Sequence, residues 1–247
     1  INNGEQEIAN GVAVVNLIGS IMGSSFTRSI DAGSVSNTGA IEKITDTTDV
    51  PDSAFVNIGN VILKDSEPIG PSWSPNIRVQ VCYPYATYLQ IDDLCIPGVR
   101  GETGTVECEI DNSKNLVNTG DVSGAPVQIS SLVETKTGEG IRVRMDIENQ
   151  GGGTVVKTGK PCNQATTVAL EDKNLVNVAV PGGYSCVFKE GTGNVGVVEL
   201  RDGMGRLRCT KPLTTSGRSY LDRFTATLTY NYVEETGKVI TIQSKAI

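Results

Sequence analysis

Apolar and polar residues alternate one by one along much of this 247-residue chain. In "GIRVRMDIE", Ile141, Val143, Met145 and Ile147 face one way, and Arg142, Arg144, Asp146 and Glu148 face the other. "RFTATLTYNY" sets Phe224, Ala226, Leu228, Tyr230 and Tyr232 against Thr225, Thr227, Thr229 and Asn231. "NIRVQVC" sets Ile77, Val79 and Val81 against Asn76, Arg78 and Gln80, and "KVITIQS" repeats the style near the C-terminus. A period of two marks strands with one dry and one wet face, as in antiparallel sheets packed as a sandwich. Helical periodicity is nearly absent. Further strands are expected near residues 54–64, 85–91, 104–110, 126–134, 174–180 and 195–200. The fold class that follows is all-β.

Turn chemistry agrees. Asn10-Gly11 lies between "EQEIA" and "VAVV", and Asp202-Gly203 between "VVELR" and "MGRLRC". Such pairs accept positive φ at both central positions of a two-residue hairpin loop. At Asp202-Gly203 a two-residue loop would pair Glu199 with Arg206, and a four-residue loop would pair Leu200 with Leu207. Gly, Ser and Pro gather in "NLVNTGDVSGAP", residues 115–126. That stretch suggests two sandwich domains of ordinary size, 1–120 with an apolar first strand and 121–247.

Composition narrows the function classes. Hydrophobic residues are 38% and charged residues 20%, a globular balance. The net charge is −7 and no run of Lys or Arg occurs, which argues against nucleic acid and anionic membrane surfaces as partners. Histidine is absent, which removes the commonest general base and the commonest zinc ligand and points away from an enzyme. The most apolar early run, "GVAVVNLIGSIMG", is too short and too rich in Gly and Asn to span a bilayer, so no membrane span is expected. A first residue of Ile rather than Met reads as a chain whose leader has been removed.

The candidate site residues are six cysteines, Cys82, Cys95, Cys108, Cys162, Cys186 and Cys209, with no C-x-x-C among them. That spacing suits disulfides in an oxidising compartment rather than a metal site. Cys82–Cys95 closes the shortest loop, Cys95–Cys108 has the same spacing, and Cys108–Cys162 would cross the domain boundary. Cys186–Cys209 is expected to staple one sheet to the other, worth about 3 kcal/mol in the chain-entropy model.

Other motifs fall short of their chemistry. Gly191, Gly193 and Gly196 spell G-x-G-x-x-G, but the valine-rich "NVGVVELR" follows where a helix should hold a pyrophosphate. "GGGTVVKTGK" fails the phosphate-loop pattern at Thr154 and Pro161. Asp92 and Asp93, and the cluster Asp46, Asp49 and Asp52, lack the alternation of a calcium loop. Tyr83, Tyr85 and Tyr88 suit either a binding surface or packing at a domain junction. No cofactor, metal or catalytic residue is expected.

The segments "IRVQVCYPYATYLQIDDLCIPG", "GAPVQISSLVETKTGEGIRVRMDIENQGGGTVV", "YSCVF" with "VVELRDGMGRLRC", and "FTATLTYNYVEETGKVITI" resemble uncharacterised archaeal cell-surface proteins. The second half is similar to adhesion-related immunoglobulin-like modules, which share an I-x-N-x-G-x-G-x-V strand pair, here "IENQGGGTVV". The resemblance implies an immunoglobulin-like β-sandwich and an extracellular or cell-surface location.

Three functions follow as expectations. The first is a non-enzymatic structural subunit, a homo-oligomer or homopolymer forming a pilus-like filament or a layer. In it Glu5–Ile21 inserts into a neighbour's sheet, or serves as the first strand of its own domain. The second is an adhesin that recognises a glycan or partner cell through sandwich-end loops. The third is a secreted hydrolase built on carboxylates.

Overall fold

The computed structural model describes residues 6–18, 26–28, 34–36, 38–43, 52–57, 61–63, 72–74, 76–98, 108–138, 140–160, 168–212 and 219–243. Strands in the first half are β1 (Val14–Ile18), β2 (Phe26–Arg28), β3 (Ser34–Ser36), β4 (Val61–Leu63), β5 (Ser72–Trp73) and β6 (Asn76–Ile96). Then come β7 (Val127–Lys136), β8 (Gly140–Asn149), β9 (Thr154–Val156), β10 (Leu175–Ala179) and β11 (Ser185–Val187). The last are β12 (Glu190–Thr192), β13 (Val195–Glu199), β14 (Met204–Pro212), β15 (Tyr220–Val239) and β16 (Ile242–Gln243). One 3-10 turn, Leu170–Asp172, is the only helical element among the described residues. The chain is an all-β antiparallel sandwich.

One sheet runs β12-β13-β10-β15-β6-β1-β3, with β9 also pairing β15, and the other runs β11-β14-β8-β7. Between them lies a core built from both: Leu89, Ile91, Leu94, Phe224, Leu228 and Tyr230 meet Val127, Leu132, Val143, Met145, Leu207 and Cys209. The alternation read from "GIRVRMDIE" and "RFTATLTYNY" is observed, since Ile141, Val143, Met145, Ile147, Phe224, Ala226, Leu228, Tyr230 and Tyr232 are all buried.

The spine of the molecule is the pairing of β6 with β15, which runs in register from Ile96–Tyr220 to Asn76–Val239 with one bulge. At 21 residues β6 is about 70 Å long. Its sandwich half belongs to the main core. Its other half carries β1 and β3, beside a separate small cluster of Ile8, Ala13 and Ile41. The sheet therefore runs unbroken past residue 120, and the main core draws on Tyr85–Ile96 as well as on residues after 126.

Several expectations are corrected. Asn10-Gly11 does not close a hairpin. Ile8 bridges Ile41 instead, and Asn10 Oδ1 accepts the amide of Gly39, so this turn joins segments distant in sequence. Of the strand expected at 54–64, Val61–Leu63 is β4, residues 54–57 are not strand, and 58–60 and 64 lie outside the described residues. Residues 108–110 are not strand, and 104–107 lie outside the described residues. Asp202-Gly203 does form the two-residue turn, with φ of 52° and 81° and reciprocal bonds between Arg201 and Met204. Neither expected ladder continues from it, because β13 pairs β10 and β12 whereas β14 pairs β8 and β11. Arg206 stands opposite Asp146 and Leu207 opposite Met145, so the turn hands the chain from one sheet to the other.

Candidate functional site

The disulfides anchor both sheets. Cys186 and Cys209 are bonded, but not between sheets: β11 pairs β14 directly, with Cys186 in register with Cys209. Their Cα atoms are 3.9 Å apart, both side chains point into the core, and the Cys186 amide bonds Gly193 rather than its partner strand. Residues 185–187 thus pair with β14, which removes the need for an inter-sheet staple. Cys95 bonds Cys108, which overturns both Cys82–Cys95 and Cys108–Cys162. Cys82 is disulfide-bonded as well, and Cys162 lies outside the described residues. Such bonds fit an oxidising compartment.

A buried polar cluster occupies the sandwich end next to Cys95–Cys108. Glu134 points inward from β7, opposite Val143, and is only 4% exposed. Its Oε2 accepts the Cys95 amide at 3.1 Å, and its Oε1 has no hydrogen-bond partner among the described residues. Burial, reinforced by the charge of Asp93, pushes this carboxyl up to about 7, against the Cys95 amide, which lowers it. Tyr184 is also buried, its ring edge-on to Phe224 at 5.0 Å and its hydroxyl without a partner among the described residues. Burial raises its pKa first, followed by the charges of Asp222 and Glu134. Lys211 Nζ lies 5.2 Å from the Tyr184 ring centre and 2.8 Å from Asp222 Oδ2, tying β14 to β15.

The cluster holds a carboxyl poised near neutrality, the usual mark of a general acid. Yet Glu134 Oε1 is sealed from solvent, and the carboxylate whose charge acts on it, Asp93, is on the surface. A substrate placed between the two has no route to the buried oxygen in this conformation. The geometry is that of a polar group held inside a core.

Other residues singled out in the sequence are dispersed. Asp92 and Asp93 share the bulge where β6 carries two residues opposite Arg223, and Asp92 pairs with that arginine at 2.7 Å. Asp52 accepts the amides of Glu42 and Ser53, which hold its carboxyl below the usual range, while Asp46 and Asp49 lie outside the described residues. No group of three or more potential metal ligands occurs among the described residues. The G-x-G-x-x-G stretch is a tight hairpin: β12 pairs β13 across Gly193-Asn194, with Gly191 opposite Gly196. A Cβ on Gly196 would come within 2.3 Å of the Phe188 ring. In "GGGTVVKTGK", Thr154–Val156 is β9 and Lys160 pairs with Asp172 at 3.0 Å.

The tyrosines divide. Tyr85 is buried and donates to the Gly124 carbonyl, and Tyr83 donates to Glu234 at 2.9 Å. Tyr88 is 54% exposed on the outer face of β6. It borders an open groove of about 300 Å³ whose other walls include Gln90, Asp121, Ser123, Thr225 and Thr227.

No protein-family model, curated protein or solved structure matches the chain. Among the described residues no helix is long and apolar enough to cross a membrane. The class that fold and site define is a disulfide-bonded, all-β sandwich whose long central strands extend into an N-terminal layer.

Proposed function

We propose that the chain is a non-enzymatic structural subunit of the cell surface that associates with copies of itself into a filament or layer. The observation that carries this reading is the β6–β15 ribbon. It is one hydrogen-bonded ladder that passes through the sandwich core and continues into the β1–β3 layer. A pull along such a body meets many antiparallel hydrogen bonds together, and the disulfides close it against unravelling.

Strand exchange joins the copies in this reading. β1 sits between β6 and β3, with Val15 and Leu17 buried. Among the described residues the buried main core begins at Tyr85, with Tyr83 packed against it and no residue of β1 in it, so β1 can leave its own β6 without opening the sandwich. The same register made between chains would link subunits by β-augmentation.

The test is negative-stain imaging and sedimentation of the full chain beside a variant lacking residues 1–22. The full chain should polymerise, and the truncated one should stay a folded monomer. Normal assembly by the truncated chain would rule out strand exchange. A full chain that remains monomeric at all concentrations would rule out the subunit reading.

A further inference from the structure

Along β8 and β14 the outward positions are rich in one charge. Arg142 and Arg144 stand on β8, Arg206 and Arg208 on β14, with the inward neighbours Val143, Met145, Leu207 and Cys209 all buried. Register places Arg208 directly opposite Arg144, a like-charge pair that weakens a ladder unless something else meets it. Arg206 is met by Asp146 at 2.6 Å. Arg144 lies between Arg208 and Val133 in the register, with its Nε sealed from solvent. Arg142 and Arg208 are exposed, so theirs are the guanidiniums that a partner on this face can meet.

The charge of that partner follows from arithmetic. The face carries four arginines against Asp146 and Glu148, a net of +2, and the whole chain carries −7, which leaves −9 for the rest of the same chain. The outer face of the opposite sheet supplies matching chemistry. There the groove beside exposed Tyr88 has Asp121 on its wall, while Asp92, two positions beyond Gln90 on β6, is already paired with Arg223. A guanidinium stacks on a tyrosine ring and bonds a carboxylate in one pose, which a lysine does less well.

We propose that the arginine face of one copy docks on the Tyr88–Asp121 groove face of the next. The two faces lie on opposite sides of one core, so the contact is heterologous and repeats from copy to copy. This inference rests on the self-association proposed above and adds to it a contact that does not use β1.

Sedimentation velocity on the full chain tests it. Arg142 and Arg208 are both exposed, so Arg142→Glu with Arg208→Glu should leave the melting temperature near wild type while weakening association about tenfold or more. The milder Arg142→Gln with Arg208→Gln should fall between, and raised salt should weaken wild type most. Mixing the double Glu variant with Asp121→Lys should restore association that neither shows alone, because each still offers one intact face. If wild type assembles and the arginine variants assemble equally well, the docking face is wrong while the structural-subunit reading stands. If wild type is monomeric, both fall. A monomer that binds dextran sulfate only with Arg142 and Arg208 intact would assign the face to an anionic glycan instead.

Discussion

The hydroxyl oxygen of Tyr232 accepts the Gly153 amide at 2.7 Å and sits where a side chain on Gly151 would have to go, 2.0 Å from its Cβ. Asn149 completes the knot, donating from Nδ2 to the Gly153 carbonyl at 2.9 Å. The "IENQGGGTVV" pattern is therefore the mould of one tyrosine rather than a ligand loop. Tyr232→Phe should cost about 1–3 kcal/mol, because it strands a part-buried amide. Gly151→Ala should be destabilising alone and markedly less so in the Tyr232→Phe background, where the obstructing oxygen is gone. Urea melts of the two single variants and the double variant measure that coupling. Strict additivity would refute the account.

Cys186–Cys209 closes a segment of 23 residues that contains the whole β12–β13 hairpin. Replacing both cysteines with alanine should lower unfolding free energy by about 3 kcal/mol, mainly through a less constrained unfolded chain. Because the two are cross-strand partners in one sheet, the native pairing of β11 with β14 should survive. Hydrogen exchange should show the β14 amides of the variant still protected in the native state. Loss of that protection would mean the bond makes the pairing rather than locking it.

How far the sequence could be read depended on bulges and sheet changes. Strands with unbroken alternation, such as Gly140–Asn149, were legible because one face is apolar throughout. In "VQISSLVET", Val127 and Ile129 point inward, and simple alternation would carry Ser131, Val133 and Thr135 in after them. A register shift between Ile129 and Ser131 inverts the order and turns Leu132 and Glu134 into the core instead. No local signal announces that bulge, so the buried carboxyl went unread. The Cys186–Cys209 geometry was hidden for a related reason. An Asp-Gly turn reports that the chain reverses, but not that its arms then join different sheets.

The separation of β1 from the main core makes a prediction about local stability. Leu17 is buried on β1, opposite Val79 of β6, yet it is not part of the main core. Leu17→Asp should release β1 from β6, so the amides of Val14–Leu17 and Val79–Val81 should exchange faster. Amides of Phe224–Tyr232 should keep wild-type protection, since sub-global opening need not reach the sandwich. Equal loss in both regions would show one cooperative unit.

Glu134 sets a pH dependence whose sign is unusual for a carboxylate. Its folded pKa is raised to about 7 from the ordinary 4.5, chiefly by burial. Between those two values the folded chain holds a proton that the unfolded chain has released, so the unfolded state binds fewer protons and stability falls as pH rises. The group's contribution is fully present below about pH 4.5 and is lost progressively up to about pH 7, by roughly 3 kcal/mol across the window. Above it the carboxylate is charged inside an apolar core, with the Cys95 amide as its one hydrogen bond among the described residues. Glu134→Gln keeps the shape and an acceptor for that amide but cannot ionise. Melting temperatures taken from pH 5 to pH 8 should therefore decline more steeply for wild type than for Glu134→Gln, with the two curves diverging as pH rises. Parallel curves would show that the carboxyl ionises without cost and that its surroundings are wetter than the burial of Oε1 implies.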